Sequence, residues 1–171
     1  MIKMKVKKEK GVTLIALTIT IIVLLIIAGI AIYSGRETIQ KANLEALRTN
    51  MLLIEAKAKG VVEEANFQLG PDFQKESEIG TIRNDLYVTE NKLQKLSDSG
   101  ITVSSGIPTG DNVYVFTQET ASLWALDNVY SELEDGEYYI IEFNEREATV
   151  EIYNTIGYQG YYSLTDIDEL E

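Results

Sequence analysis

After Gly11 the chain runs twenty-one residues, to Ile32, without a charged side chain: VTLIALTITIIVLLIIAGIAI. At about 1.5 Å per residue a helix of this run is roughly 31 Å long, enough to cross the hydrocarbon core of a bilayer. Past Arg36 the apolar positions thin to a stripe. Leu47, Met51, Ile54, Ala58, Val61 and Ala65 follow one another at alternating spacings of four and three, while Glu37, Arg48, Glu55, Lys59 and Glu63 fall opposite them. The pattern predicts one helix over 12–65, roughly 80 Å long, apolar all round in its first half and one-sided in its second. The stripe fills two heptads, short of the three or four a coiled coil needs, so it is expected to lie on a sheet. Gly29 and Gly35 fall where the two halves meet, each costing the helix about 1 kcal/mol relative to Ala.

Residues 66–84 contain Gly70-Pro71 and Gly80 and keep no period, which predicts a surface connection. Beyond it an aromatic, extended stretch hands over to a threonine and a short helix three times: Tyr87-Val88 to Thr89, 114–116 to Thr117, and Tyr161-Tyr162 to Thr165. Each threonine is placed to cap a helix N-terminus, with an acidic residue in the first turn. The similarity is too loose for a true repeat. The clearest sheet signal is EYYIIEF over 137–143 and ATVEIY over 148–153, a β-hairpin about the polar turn 144–147. Alternation puts Tyr139, Ile141 and Phe143 on one face with Ala148, Val150 and Ile152. Thr149, Glu151 and Tyr153 are expected on a second, wet face. Gly157 and Gly160 are expected to turn the chain into a last short strand at Tyr161.

Charge adds an orientation. Lys3, Lys5, Lys7, Lys8 and Lys10 precede the apolar run with only Glu9 opposing them, a bias that keeps the N-terminus in the cytoplasm and sends the rest out. The run is longer than the 7–15 residues of a secretory signal, and no A-x-A pattern closes it. The formal net charge of −12 disfavours binding to nucleic acid through charge attraction. With no cysteine and no histidine there is no disulfide, no zinc site of the common kinds and no histidine-based triad. The carboxylates Glu132, Glu134, Asp135 and Glu137, and again Asp166, Asp168 and Glu169, lack the spacing of a Ca²⁺ loop, and a solvated acidic surface is the preferred reading. The tyrosines of the C-terminal half offer a candidate sugar- or surface-binding face, although strand propensity explains most of them. Nothing has the form of a phosphate loop, a nucleophile with its base or a redox motif, so neither an enzyme nor a cofactor is expected.

The junction Lys10-Gly11-Val12-Thr13-Leu14-Ile15 resembles the processing site of type IV prepilins, in which a short basic leader ends in Gly. The apolar run that follows is similar to that of Gram-positive, clostridia-like members. The resemblance covers roughly residues 1–65 and lies mainly in that junction. It implies cleavage between Gly11 and Val12 by prepilin peptidase, N-methylation of Val12, and filament assembly through the helix that starts there. Val12, Thr13, Ala16, Gly29 and Gly35 are the assembly candidates. Pilins usually carry Glu at the fifth residue after the cut, to pair with a neighbouring subunit's terminal amine, and here that residue is Ala16. Either the filament meets the amine otherwise, through Thr13 or a carbonyl, or this is a tip-capping subunit. Gly29 and Gly35 sit near the depth where family filaments loosen their core helix, usually at a proline; close packing through small residues such as Gly29 and Ala28 is the alternative.

The implied architecture is α+β and type IV pilin-like: a leader over 1–11, a membrane or filament-core helix over 12–33, its amphipathic continuation over 34–66, and a head over 67–171 built on a small antiparallel sheet. The leader carries five lysines and one glutamate, so its removal takes the formal charge from −12 to −16. Partners implied are copies of the chain or other pilins, prepilin peptidase, the membrane before assembly and the assembly platform. Localisation would be a single-pass membrane protein, N-in and C-out, and then a cell-surface filament. The abundant structural subunit is the reading taken. The alternatives are a minor or tip pilin, a pseudopilin of a type II secretion or competence system, and an unprocessed, membrane-anchored adhesin.

Overall fold

Inward-facing residues pair across the central strands: Phe143 with Val150, Ile141 with Ile152, and Tyr139 with Asn154. The computed structural model describes residues 10–69, 85–144 and 149–170; the side chains at 10–13, 15, 31–34, 37 and 69 lie outside that description. Helix α1 is Lys10–Leu69, and residues 85–91 form a second helix, α2. Then follow β1 (Gln94–Lys95), α3 (Leu96–Ser99), β2 (Val113–Val115), α4 (Gln118–Trp124), α5 (Asp127–Ser131), β3 (Tyr139–Asn144), β4 (Thr149–Tyr158), β5 (Tyr161–Ser163) and α6 (Leu164–Asp168). The chain is α+β, with one five-stranded antiparallel sheet in the order β1-β2-β3-β4-β5.

Two units divide the chain, Met1–Asn43 and Leu44–Glu171. In the first, every described residue is helical, and the large apolar side chains described at Leu14 and from Leu17 to Ile30 are exposed. Among the described residues no helix is long and apolar enough to cross a membrane.

The second unit has two apolar layers. Met51, Ile54, Ala58, Val61 and Ala65 of α1 are buried as the stripe requires, joined by Leu44 and Val62, and share a core with Tyr114, Ile141, Phe143, Val150 and Ile152 of the sheet. At the centre of this layer Tyr87 of α2 stacks on Phe143 at 4.3 Å and meets Tyr114 edge-on at 6.2 Å. The opposite face is not simply wet. Val113, Val115 and Ile140 are buried there beneath Leu96 and Ile107, with Tyr138, Tyr153 and Tyr162 packed around them. The reason lies in Ile140 and the valines of β2: two β-branched strands in register make an apolar surface on both sides, and the segment after α3 folds over it.

Other expectations change at the short elements. Tyr87-Val88 is helical and not extended, and Thr89 lies inside α2, because Tyr87 is needed in the core from that direction. Leu93 is buried just before β1, a strand too short to show in the pattern. Thr117 does cap α4, its hydroxyl accepting from the Thr120 amide at 3.3 Å. At α6 the cap is Ser163, which accepts from the Asp166 amide at 3.1 Å. Thr165 instead binds Glu151, so the strand residue expected to face water holds the start of α6. The turn at 145–147 and Ala148 lie outside the described residues. Strand β4 continues to Tyr158, and the two-residue turn Gln159-Gly160, with φ of 52° and 91°, returns the chain with Tyr158 opposite Tyr161. Gly157, at φ 66°, sits where the pairing shifts; a Cβ there would strike the Tyr161 carbonyl oxygen and the Tyr162 ring.

Candidate functional site

Gly11 and Val12 lie in the first turns of α1, and their side chains, with that of Thr13, are outside the described residues. The described part of the same helix has three relevant properties. Ala16 is exposed among the described residues. Thr18 donates its hydroxyl to the Leu14 carbonyl and Thr20 to the Leu17 carbonyl, each at 2.8 Å. These hydroxyls are satisfied by their own helix, the arrangement that lets threonine enter an apolar environment. Among the described residues a Cβ built on Gly29 or Gly35 meets nothing within 4 Å.

The second unit carries polar clusters that the pattern did not show. Arg48 is the first. It was placed on the polar face, but it follows Leu44 by four and precedes Met51 by three, on the border of the buried stripe. Its Nη2 lies 2.5 Å from the Asp168 carbonyl oxygen and 3.3 Å from those of Ile167 and Leu170. Nε faces the Asp168 carboxylate at 3.0 Å as an ion pair, without the alignment of a hydrogen bond. The guanidinium thereby closes the C-terminal end of α6, where the helix dipole is negative.

Asn154 is the second. It continues the inward series Val150, Ile152 of β4 and is fully buried. Its side-chain Oδ1 accepts the amides of Ile156 and Gly157 at 3.0 and 2.8 Å, and its side-chain Nδ2 donates to Glu137 at 2.6 Å. Glu137 also accepts the Glu134 amide at 2.8 Å, and Glu132 accepts from Asn50 of α1 at 3.0 Å. Two of the four carboxylates in the 132–137 cluster are therefore engaged in holding chain segments together. Among the described residues no group of three or more acidic side chains is placed to hold a metal ion.

Burial pushes the Tyr139 phenol up to about 12, with the charges of Glu137 and Glu132 adding to the rise and hydrogen bonds from Asn50 and Asn154 opposing it. On the other face Tyr153 donates to Glu142 at 2.8 Å, and burial followed by that hydrogen bond raises its pKa strongly. Glu142 stands directly opposite Glu151 in the register, a like-charge pair that costs stability unless each carboxylate has a donor. Tyr153 serves one and Thr165 the other. These contacts fasten elements together; none sets a nucleophile beside a base.

Comparison with family models, with curated proteins and with solved structures found no match.

Proposed function

We propose that this chain is a structural subunit of a type IV pilus-like filament, cut by prepilin peptidase between Gly11 and Val12 and assembled through its N-terminal helix. The observation that carries the reading is the helical surface between Leu14 and Ile30. Leu14, Leu24 and Leu25 are each 65–69 % exposed, and the large apolar residues from Leu17 to Val23 are exposed too. Covering them is worth on the order of 10 kcal/mol or more. Lipid covers such a surface before assembly and the helices of neighbouring subunits cover it afterwards. Satisfied threonine hydroxyls suit both surroundings, and glycines that meet nothing among the described residues suit close approach by another helix. The fold proposed with it is pilin-like: one helix, apolar at first and then one-sided, continuing into a small α+β head that stays in water.

The processing step is tested directly. A Gly11→Leu chain expressed with the peptidase should stay full length while the parent chain loses its first eleven residues. Maturation of the variant to Val12 would remove the main support for the reading.

A second reading, a cap at the filament tip, is favoured by Ala16 alone. A subunit at the end of a filament can offer its free amine to a carboxylate of the subunit beneath without carrying one itself. Quantitative mass spectrometry of sheared filaments separates the two: the abundant subunit dominates, and a cap is found at trace level beside another pilin.

A further inference from the structure

An open groove of about 910 Å³ lies beside the end of β2, lined by Val115, Ile101 and Tyr138 of the layer away from α1 and by Phe116 and Tyr130 of the layer that includes it. Val115 ends β2, and Gln118 and Glu119 of the first turn of α4 line the groove as well. Its volume lies near the upper end of the range for small-molecule sites.

The lining selects for a ligand without charge. Its charged members, Lys92 and Glu119, are paired with each other at 2.6 Å, so the groove is locally neutral on a chain of net charge −12. The hydroxyls of Ser99, Ser122 and Thr117 are already committed, to Leu96, Asp127 and Thr120. Among the described residues this leaves the carboxamides of Gln94 and Gln118 and the phenols of Tyr130 and Tyr138 open to a ligand. Carboxamides donate and accept, and so do sugar hydroxyls; half-buried tyrosine rings offer the apolar surface that the C–H face of a pyranose needs. An extended peptide is served poorly. It needs a row of free backbone groups, and the edge strand here, Gln94–Lys95, is two residues long.

We infer that the groove is a binding site for a short, uncharged oligosaccharide of two or three rings, held by stacking on the tyrosines and by hydrogen bonds from Gln94 and Gln118. The inference rests on the head alone and stands separately from the filament reading. Its test is a titration of the ¹⁵N-labelled full chain in detergent micelles with two probes, the trimer of N-acetylglucosamine and cellotriose. A sulfated trisaccharide and an unstructured hexapeptide pool serve as competitors of other chemistry. The expected result is a saturable shift of the Gln94 and Gln118 side-chain amide signals with at least one neutral sugar. Binding should weaken about fivefold in Gln118→Ala. Gln94 and Gln118 are exposed, so Gln94→Ala and Gln118→Ala should keep the parent spectrum elsewhere. No saturable shift with either sugar, equal or tighter binding of the sulfated sugar or the peptides, or unchanged affinity in both variants would overturn the inference.

Discussion

Arg48 of the long helix and Asp168 of the last one meet twice, through the backbone carbonyl at 2.5 Å and through the carboxylate at 3.0 Å. One side chain thus joins the C-terminal turn of the chain to α1. Arg48→Met keeps much of the apolar stem and removes the donors, leaving the last carbonyls of α6 without this partner. The expected loss is about 1–3 kcal/mol, read as a lowered melting temperature of the full chain. Lys59→Met, which breaks only the exposed pair with Glu55, should change it little. Equal melting temperatures for the two variants would show that the Arg48 contact does not hold α6.

Gly157 has a positive φ and no room for a side chain. Gly157→Ala forces its methyl group against the Tyr161 carbonyl oxygen and should cost about 3 kcal/mol, opening the β4–β5 pairing. Gly136 also has a positive φ, 82°, but its Cβ would meet nothing within 4 Å. Gly136→Ala is therefore expected to cost only about 1 kcal/mol. Denaturant unfolding of both variants checks the difference.

Ile141 and Glu151 lie on opposite faces of the sheet, and neither faces open water alone. Ile141→Asp places a carboxylate in the core and is expected to cost several kcal/mol. Glu151→Lys removes the acceptor of both Thr165 groups and sets a cation near the N-terminus of α6, for a smaller loss of about 1–2 kcal/mol. A Glu151→Lys chain as stable as the parent would show that the Glu151–Thr165 contact contributes nothing.

Tyr139 contributes to the alkaline limit of stability, together with Tyr153, whose pKa is also raised. The pKa of Tyr139 is raised from 10.0 to about 12 on folding, so the folded state holds the phenol proton more tightly than the unfolded chain does. The stability linked to this group is complete below pH 10.0 and is lost as the pH rises from there to about 12. The loss amounts to roughly 2–3 kcal/mol. Tyr139→Phe should flatten that part of the curve, measured as stability against pH between 9 and about 12.5. An unchanged slope would mean that other groups set it.

The long-period features of this fold were legible in the sequence, and the short ones were not. Met51, Ile54, Ala58, Val61 and Ala65 are buried because a helix repeats its face every three to four residues, and five positions define that face beyond ambiguity. The pairing of β3 with β4 follows in the same way from alternation. Tyr87 was misread as extended because one aromatic residue between two turns fits a strand or a helix equally, and only the ring stack on Phe143 decides it. Ser163 and Thr165 compete for one cap, and Glu151, fourteen residues from Thr165, settles the competition at long range. Arg48 and Asn154 sit at the margin or the end of apolar series, where their partners are not visible in sequence. Of the N-terminal candidates, Ala16, Gly29 and Gly35 are placed on the described helix, while the roles of Gly11, Val12 and Thr13 rest on the Lys10-Gly11-Val12 junction itself.

The filament reading is tested most directly at its first residue. Protein sheared from the surface of producing cells should begin at Val12, carry one methyl group on that amine, and lack Lys3, Lys5, Lys7, Lys8 and Lys10. Surface protein that begins ahead of Gly11 with those lysines intact and its amine unmethylated would contradict it.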